Sequence, residues 1–455
     1  MKNYNLKTIL YYSLSGIIFI NIIFVLLNLF NPPIVGIADN NDFYRVIRPA
    51  GLDYISPLGD NWTKSLVRVY KIVNEDWPSW FSYGSIPVWF VKKINCTFGA
   101  CEFFDIRTFS LFLFIIFSTL IAVILIKNGL SVFYLLSIWL LLDPQWYLVL
   151  NSFYTENCAL IGFTLITYLL CPRAKVNFTN AFILSFASVL LITAKEQYLP
   201  CLLFIPLTLY KYNETKLALK TLSISGFIIA ALLMLLPAYS SVQNDIRLMN
   251  NHNTVFYGID YLKVLPTDEI TKSLNLPASM VTYSNTHFWK RTREYLPEEK
   301  EALGKLSRAK LVFLYLKNPL TIFKGIDNAI KDFSKVRSWT FGNYEDKRMS
   351  LMMLPSIFGP ELFIAEMQNI FPYLFLILPL LIIIFSVRKK DWYLTSFYTV
   401  LFLSSILQCI TAIIGDGFAG FNRHMFIGEL PFRFIVIFFV AQVLEKFNAL
   451  KPVLD

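Results

Sequence analysis

ILYYSLSGIIFINIIFVLLNLF, residues 9–30, carries no formal charge from end to end. At about 1.5 Å per helical residue, such a run crosses a hydrocarbon layer of about 30 Å. It is too long for the core of a secretory leader and lacks a small-residue cleavage pattern, so it reads as an uncleaved anchor. Lys2 and Lys7 ahead of it predict a cytoplasmic N-terminus, because positive charge stays on the inner side. Pro32-Pro33 ends the helix, since proline has no amide for the next turn. Just beyond lies Ala38-Asp-Asn-Asn-Asp-Phe-Tyr-Arg45, an acidic stretch at a membrane edge. A helical turn there places Asp39 and Asp42 on one face with Arg45 above Asp42. The plainer alternative is a solvated Asn/Asp-rich turn.

The same reading extends along the chain. Of 455 residues, 56% are hydrophobic, 42 are Phe and only 16% are charged. That balance excludes a soluble domain of this size. It predicts an all-α polytopic membrane protein with about ten transmembrane helices and large extracytoplasmic loops. The net charge of +10 gathers between apolar runs, where it sets topology, and does not point to nucleic acid as a partner. Further spans are expected at 108–126, 130–142, 157–170, 178–193, 198–209, 222–238, 371–387 and 393–414, and a last one ends near Glu445 and Lys446. Runs as short as the third and fourth are common where helices tilt or break around a cavity. The expected units are a membrane module over 1–239, including a first outer loop at 31–107, an extracytoplasmic region with interfacial helices over 240–370, and a second membrane module over 371–455.

The outer loops hold the remaining signals. Trp62, Trp77, Trp80 and Trp89 suit helices lying in the interface. Cys96 and Cys101 read equally as a disulfide on the oxidising side or as two free thiols. Ala309–Lys331 reads as one amphipathic helix at the membrane surface, with Leu311, Phe313, Leu314, Leu316 and Leu320 set against Lys310, Lys317 and Lys324. Asp143-Pro144 reads as turn chemistry, and Glu429 with Arg433 as a pair four residues apart. His252 is either a surface residue or a sugar contact.

Acids and mixed charge collect at the outer ends of the spans: Asp39, Asp42, Asp143, Glu156, Lys195, Glu196, Asp416, Arg423 and His424. Ionisable groups at membrane depth are functional candidates by default. A transporter places them near the bilayer midplane on broken helices. A one-sided cluster beside large loops suits chemistry on a lipid-borne substrate at the outer leaflet.

Several short motifs recur in order on that side: Asp42-Phe43-x-Arg45 with Arg48-Pro49, Phe153-Tyr154-x-Glu156, Thr193-Ala194-Lys195-x-Gln197-Tyr198, Asn318-Pro319-x-x-Ile322-Phe323-Lys324, Gly342-Asn343-Tyr344 and Gly415-Asp416-Gly417 followed by Arg423-His424-Met425-Phe426. As a set they resemble the bacterial serotype-specific glucosyltransferases that modify O-antigen and, more broadly, the GT-C membrane glycosyltransferases. The resemblance spans nearly the whole chain. It implies an enzyme of the bacterial cytoplasmic membrane that moves a hexose from a polyprenyl-phosphate-linked donor to a surface glycan on the outer face, with inversion. It also implies an essential acid in the first outer loop. Asp42 matches that pattern directly, and Asp39 accompanies it in only some relatives.

The expected chemistry follows. Asp42, with Asp39, removes the acceptor hydroxyl proton. Lys195, Arg423 and His424 meet the charge growing on the donor phosphate. Arg45, Glu156, Tyr154, Gln197 and Asp416 support the site, Glu156 alternatively being only a structural partner of Lys195. Tyr154, Tyr198 and Trp146 line a sugar or prenyl path, or belong to an ordinary interface belt. No cofactor is required by the pattern, although Asp39 and Asp42 are compatible with Mg²⁺ or Mn²⁺ through oxygen ligands. Two other classes remain open. A lipid-linked sugar flippase needs charges at mid-depth, and an O-antigen polymerase or ligase relies on arginines in its large outer loops.

Overall fold

The computed structural model describes residues 6–39, 42–55, 66–75, 82–235, 242–291, 293–333, 343–345, 373–419 and 421–450. α1 (Leu6–Phe30) leads into β1 (Val35–Gly36), the single turn α2 (Tyr44–Ile47), β2 (Leu52–Tyr54) and β3 (Val69–Ile72). α3 (Ser85–Thr97), β4 (Phe103–Asp105) and α4 (Ile106–Asn128) follow. α5 (Val132–Leu141) and α6 (Pro144–Tyr147), the latter continued by the 3₁₀ turn Leu148–Asn151, are bent by 67° at their junction. Asp143 makes that break by accepting the Gln145 amide at 3.0 Å, with Pro144 in the first helical position. Next come α7 (Glu156–Leu170), α8 (Phe178–Ile192), the 3₁₀ segment Glu196–Leu203, α9 (Phe204–Lys211) and α10 (Leu217–Leu235). The outer segment holds α11 (Val242–Thr254), α12 (Thr267–Ser273), α13 (Pro297–Lys305), α14 (Arg308–Lys317) and α15 (Pro319–Phe333), then β5 (Asn343–Tyr344). α16 (Leu374–Arg388), α17 (Trp392–Asp416), the short α18 (Phe421–His424) and α19 (Phe426–Leu450) complete the chain.

The protein is an all-α polytopic membrane protein. Among the described residues five helices are long and apolar enough to cross a membrane, or six if the bent pair is one span, and α7, α8 and most of α16 are shorter apolar helices. Two small antiparallel sheets, which the sequence reading did not anticipate, involve the segment between α1 and α4: β2–β3–β4 within it, and β1 paired with the distant β5. Cys96 and Cys101 form a disulfide. α3 leaves Ile86, Phe90 and Ile94 exposed while Val88 and Val91 are buried, as an interfacial helix requires. Trp89 on this helix donates to Glu75 at 2.9 Å, whereas Trp62, Trp77 and Trp80 lie outside the described residues.

α7 forms the centre of the bundle. Every one of its residues is buried, including Glu156 at its first turn. A helix apolar on all sides has to be enclosed by others, and α8, α9 and α19 pack around it. Gly162 permits a close approach: a Cβ there would lie 2.6 Å from the Ala187 carbonyl oxygen and 2.8 Å from the Leu191 nitrogen on α8. Small residues let helix backbones meet in this way, which matters where lipid supplies no hydrophobic drive between helices.

A second apolar core lies outside the bundle. It gathers Leu248, Phe256, Ile270, Tyr283, Leu311 and Tyr315 onto Ile413, Phe421 and Phe432 at the outer ends of the last helices. The single amphipathic helix expected over Ala309–Lys331 is broken into α14 and α15 at Asn318-Pro319. The preceding Asn318 leaves helical geometry ahead of the proline, as that ring demands. Leu311 and Leu314 therefore face this core, while Phe313, Leu316, Leu320 and Phe323 point outward. His252 is not a surface residue but fully buried here: Nε2 meets the Thr286 carbonyl at 3.0 Å and Nδ1 meets the Tyr295 hydroxyl at 2.6 Å. The carbonyl only accepts, so Nε2 carries the proton and Nδ1 accepts from Tyr295. Burial pushes the imidazole down to about 4 from 6.5.

Two outcomes follow from this packing. Gly162→Ala wedges a methyl group against α8 backbone and lowers the thermal midpoint of the detergent-solubilised protein; an unchanged midpoint would show that the two helices can part at no cost. For His252, the unfolded chain binds a proton below about 6.5 that the folded ring refuses until about 4. Stability of the outer domain therefore falls as pH drops through that window, by about 3 kcal/mol at most, and is flat above it. Thermal midpoints measured across the window in the wild type and in His252→Asn check this, since the variant loses that part of the slope.

Candidate functional site

The segment between α1 and α4 is anchored before it reaches its acids. Asn151, at the end of the bent segment, donates to the Leu29 carbonyl at 3.0 Å and to the Val35 carbonyl at 2.9 Å. Its own side-chain oxygen accepts from Ser110, and its main-chain carbonyl accepts the Ile37 amide at 3.3 Å. From the other side β5 pairs with β1, placing Val35 opposite Tyr344 and Gly36 opposite Asn343. Arg68 reaches Glu345 at 2.9 Å and ties this clamp to the three-stranded sheet.

Asp39 and Asp42 do not share a helical face. Helix α2 begins only at Tyr44, and Asp39 lies in irregular chain before it. Asp39 is 4% exposed. One carboxylate oxygen accepts the Phe43 amide at 3.1 Å, and the other accepts the Tyr54 hydroxyl. Burial, then the neighbouring Tyr70 and Asp39, push the Tyr54 hydroxyl far up, so it stays a donor. Asp39 is thus the residue that folds the turn. Asp42 stands half-buried at the start of that turn. Phe43, the residue after Asp42, packs edge-on against Phe153 at 5.5 Å and Tyr154 at 4.8 Å. Tyr154 donates to the Ala38 carbonyl at 3.2 Å. With Asp39 already committed to Phe43 and Tyr54, the two acids are a poor fit to a shared divalent cation. Among the described residues no three His, Cys, Asp or Glu side chains gather as metal ligands.

Arg45 projects from α2 toward the bundle. Its Nε is buried and meets no hydrogen-bond partner among the described residues. The Tyr198 hydroxyl is buried beside Gln197, within electrostatic reach of both Arg45 and Glu156. Glu156 itself is ion-paired with Lys195, both side chains being under a tenth exposed. A carboxylate in the first turn of α7 also gains from the helix dipole. Of the two sequence readings of Glu156, the structure therefore displays the pairing. Trp146 and Tyr198, taken as path-lining aromatics, are both fully buried, Trp146 against Phe426.

Gln197 joins this group to the last outer turn. Its Nε2 donates to the His424 carbonyl at 3.2 Å, which sets Oε1 against His424 Nδ1 at 2.9 Å. Oε1 can only accept, so Nδ1 carries a proton. Nε2 faces Asp416 at 3.3 Å. A doubly protonated ring satisfies both contacts, and a neutral ring satisfies one. Asp416 also accepts from Asn253 at 2.8 Å. The roles expected of Lys195 and His424 as phosphate ligands thus fall on side chains already engaged by Glu156, Gln197 and Asp416. The Arg423 side chain lies outside the described residues. Close by, Glu429 meets Arg433 at 3.5 Å and Gln145 at 3.3 Å, the pair read from their spacing.

Sequence reasoning missed Tyr54, Tyr70, Asn151 and Asn253. Each is an ordinary residue in an ordinary segment, and its role arises from a partner at least 15 positions away, as with Tyr54 on Asp39 or Asn253 on Asp416. Only the polar run Asn250-Asn-His-Asn253 inside a helix offered a signal.

No curated protein and no solved structure matches the chain. A family model described as "YfdI N-terminal transmembrane domain" matches residues 2–452. Since that match takes in almost every residue described above, the chain belongs to the YfdI N-terminal transmembrane domain family.

Proposed function

We propose that this protein is a membrane glycosyltransferase of the GT-C type. It moves a hexose from a polyprenyl-phosphate-linked donor to a cell-surface glycan such as O-antigen, at the outer face of the bacterial cytoplasmic membrane. What supports the reading is the meeting of the Asp39–Arg45 turn, the Glu156–Lys195 pair with Tyr198, and the Gln197–His424–Asp416 chain in one cluster. These groups come from separate regions of the sequence, at the ends of apolar helices, where unneeded charge is costly.

In the proposed reaction Asp42 accepts the acceptor hydroxyl proton as the oxygen attacks the anomeric carbon. The bond from that carbon to the phosphate oxygen breaks, and its electron pair leaves on the polyprenyl phosphate, with inversion at the sugar. Asp39 is the positioning residue, since its oxygens hold the Phe43 amide and the Tyr54 hydroxyl. Arg45 is the phosphate ligand we favour. Its buried Nε lacks a hydrogen-bond partner among the described residues, and a guanidinium matches phosphate geometry. Lys195, Arg423 and His424 add positive charge around the leaving group.

Membranes holding equal amounts of inserted protein, supplied with radiolabelled polyprenyl-phosphate glucose and a cognate acceptor polysaccharide, test this. Asp42→Asn is expected to lose about 10²–10⁴-fold in transfer, the usual worth of a positioned base. Asp39→Asn loses less activity and some thermal stability. Full activity in Asp42→Asn would remove it as the base. Failure of the wild type with a panel of lipid-linked sugars would move a flippase ahead of a transferase.

A further inference from the structure

The outer domain bears a set of aromatic rings that the reaction just described leaves without a task. α11 runs directly into a π-helical turn, Val255–Ile259. Such turns are rare and recur at functional sites. This one holds Tyr257 half-buried and is followed by Tyr261, 44% exposed. The two rings lie 5.4 Å apart. The His287 ring stands edge-on to Tyr257 at 5.6 Å, and Phe418 meets Tyr261 at 5.3 Å. Trp289, two residues past His287, is 70% exposed. Tyr257, Tyr261, His287 and Phe418, from three separate segments, thus form one ridge; the Trp289 ring packs edge-on against Phe288 at 5.0 Å, next along the chain.

The ridge is attached to the charged cluster. Gly417 has φ +59°, a conformation natural to glycine, and a Cβ there would run into the Asn253 and Tyr257 carbonyls. Phe418 donates to the Tyr257 carbonyl at 3.1 Å. Asp416, one residue earlier, holds Asn253 and His424 and lies within electrostatic reach of His287.

The chemistry of the ridge selects its partner. The outward faces of α14 and α15 expose Val312, Leu316 and Leu320 with Phe313 and Phe323, a mainly aliphatic surface suited to lipid. The ridge instead mixes aromatic faces with polar donors. His287 Nδ1 accepts the Trp289 amide at 3.3 Å, so the neutral ring carries a donor on Nε2. Lys290 lies within electrostatic reach of the His287 ring, and Asn285 is exposed two residues before it. Flat apolar faces bounded by hydrogen-bonding groups match a pyranose ring, whose C–H face stacks on an aromatic while its hydroxyls bond at the edges.

We propose that Tyr257, Tyr261, His287 and Trp289 form the subsite that holds the acceptor glycan beside the Asp416–His424 pair. The identity of the glycan as an acceptor rests on the glycosyl-transfer reading; glycan binding itself does not.

The test uses full-length protein in nanodiscs, immobilised for surface plasmon resonance and titrated with lipid-free surface polysaccharide from the producing cell. Saturable binding is expected, weakened about tenfold or more by Tyr261→Ala and by Trp289→Ala. Tyr261→Phe keeps the ring and binds as the wild type does, which separates stacking from misfolding. Asp42→Asn also binds normally. In transfer assays the two alanine variants raise the acceptor KM and leave the donor KM unmoved. No binding by the wild type, or unaltered binding by the alanine variants, overturns the subsite. So does Trp289-dependent quenching by brominated lipids, which would put the ridge in the bilayer. Ridge-dependent binding together with undiminished transfer by Asp42→Asn leaves the subsite standing and defeats the proposed base.

Discussion

A chain crossing a bilayer must satisfy every backbone polar group from within. Wherever a helix breaks, some other group has to take over those bonds. Asn151 does this for the outer end of the bundle. One side chain answers two carbonyls, from the end of α1 and from β1, and receives Ser110 of α4. Its main-chain oxygen takes a further amide from the loop. The break after α5 and the exit of the chain from α1 are thereby one structure, and the acidic turn that follows is held against the bundle from its first residues.

Everything proposed for the site follows from that placement. Asp39 can be buried only because Tyr54 and the Phe43 amide take its two oxygens, and a buried carboxylate without such donors would be too costly to keep ionised. Its burial winds the turn that carries Asp42 and Arg45. Across from that turn, Glu156 crowns a helix with no exposed residue, so it needs Lys195, and breaking such a pair would strand a charge in a poorly solvated place. The Gln197 bridge then couples this pair's segment to His424 and Asp416. Charge is tolerated here because each group has a partner within the protein.

The outer domain is built on a different principle. It is enclosed by its own apolar core and touches the bundle chiefly through α17. His252 illustrates it: a polar, titratable residue sits at the centre with both nitrogens answered by protein. The π-helical turn and Gly417 bring this domain's backbone against the Asp416 turn closely enough for Asn253 to reach it.

The membrane class and the long apolar helices α1, α4, α10, α17 and α19 were legible in residue order, because hydrophobic length acts locally; the span expected over 198–209 is instead a 3₁₀ segment running into the short α9. Also legible were the break at Asp143-Pro144 and the Glu429–Arg433 pair, both decided within one turn of helix. Which acid is buried, that the Arg45 Nε is enclosed, and which face of α14 is covered were decided by tertiary structure alone. Those outcomes depend on contacts between residues far apart in sequence, such as Tyr344 with Val35 or His424 with Gln197. No local periodicity encodes such pairings.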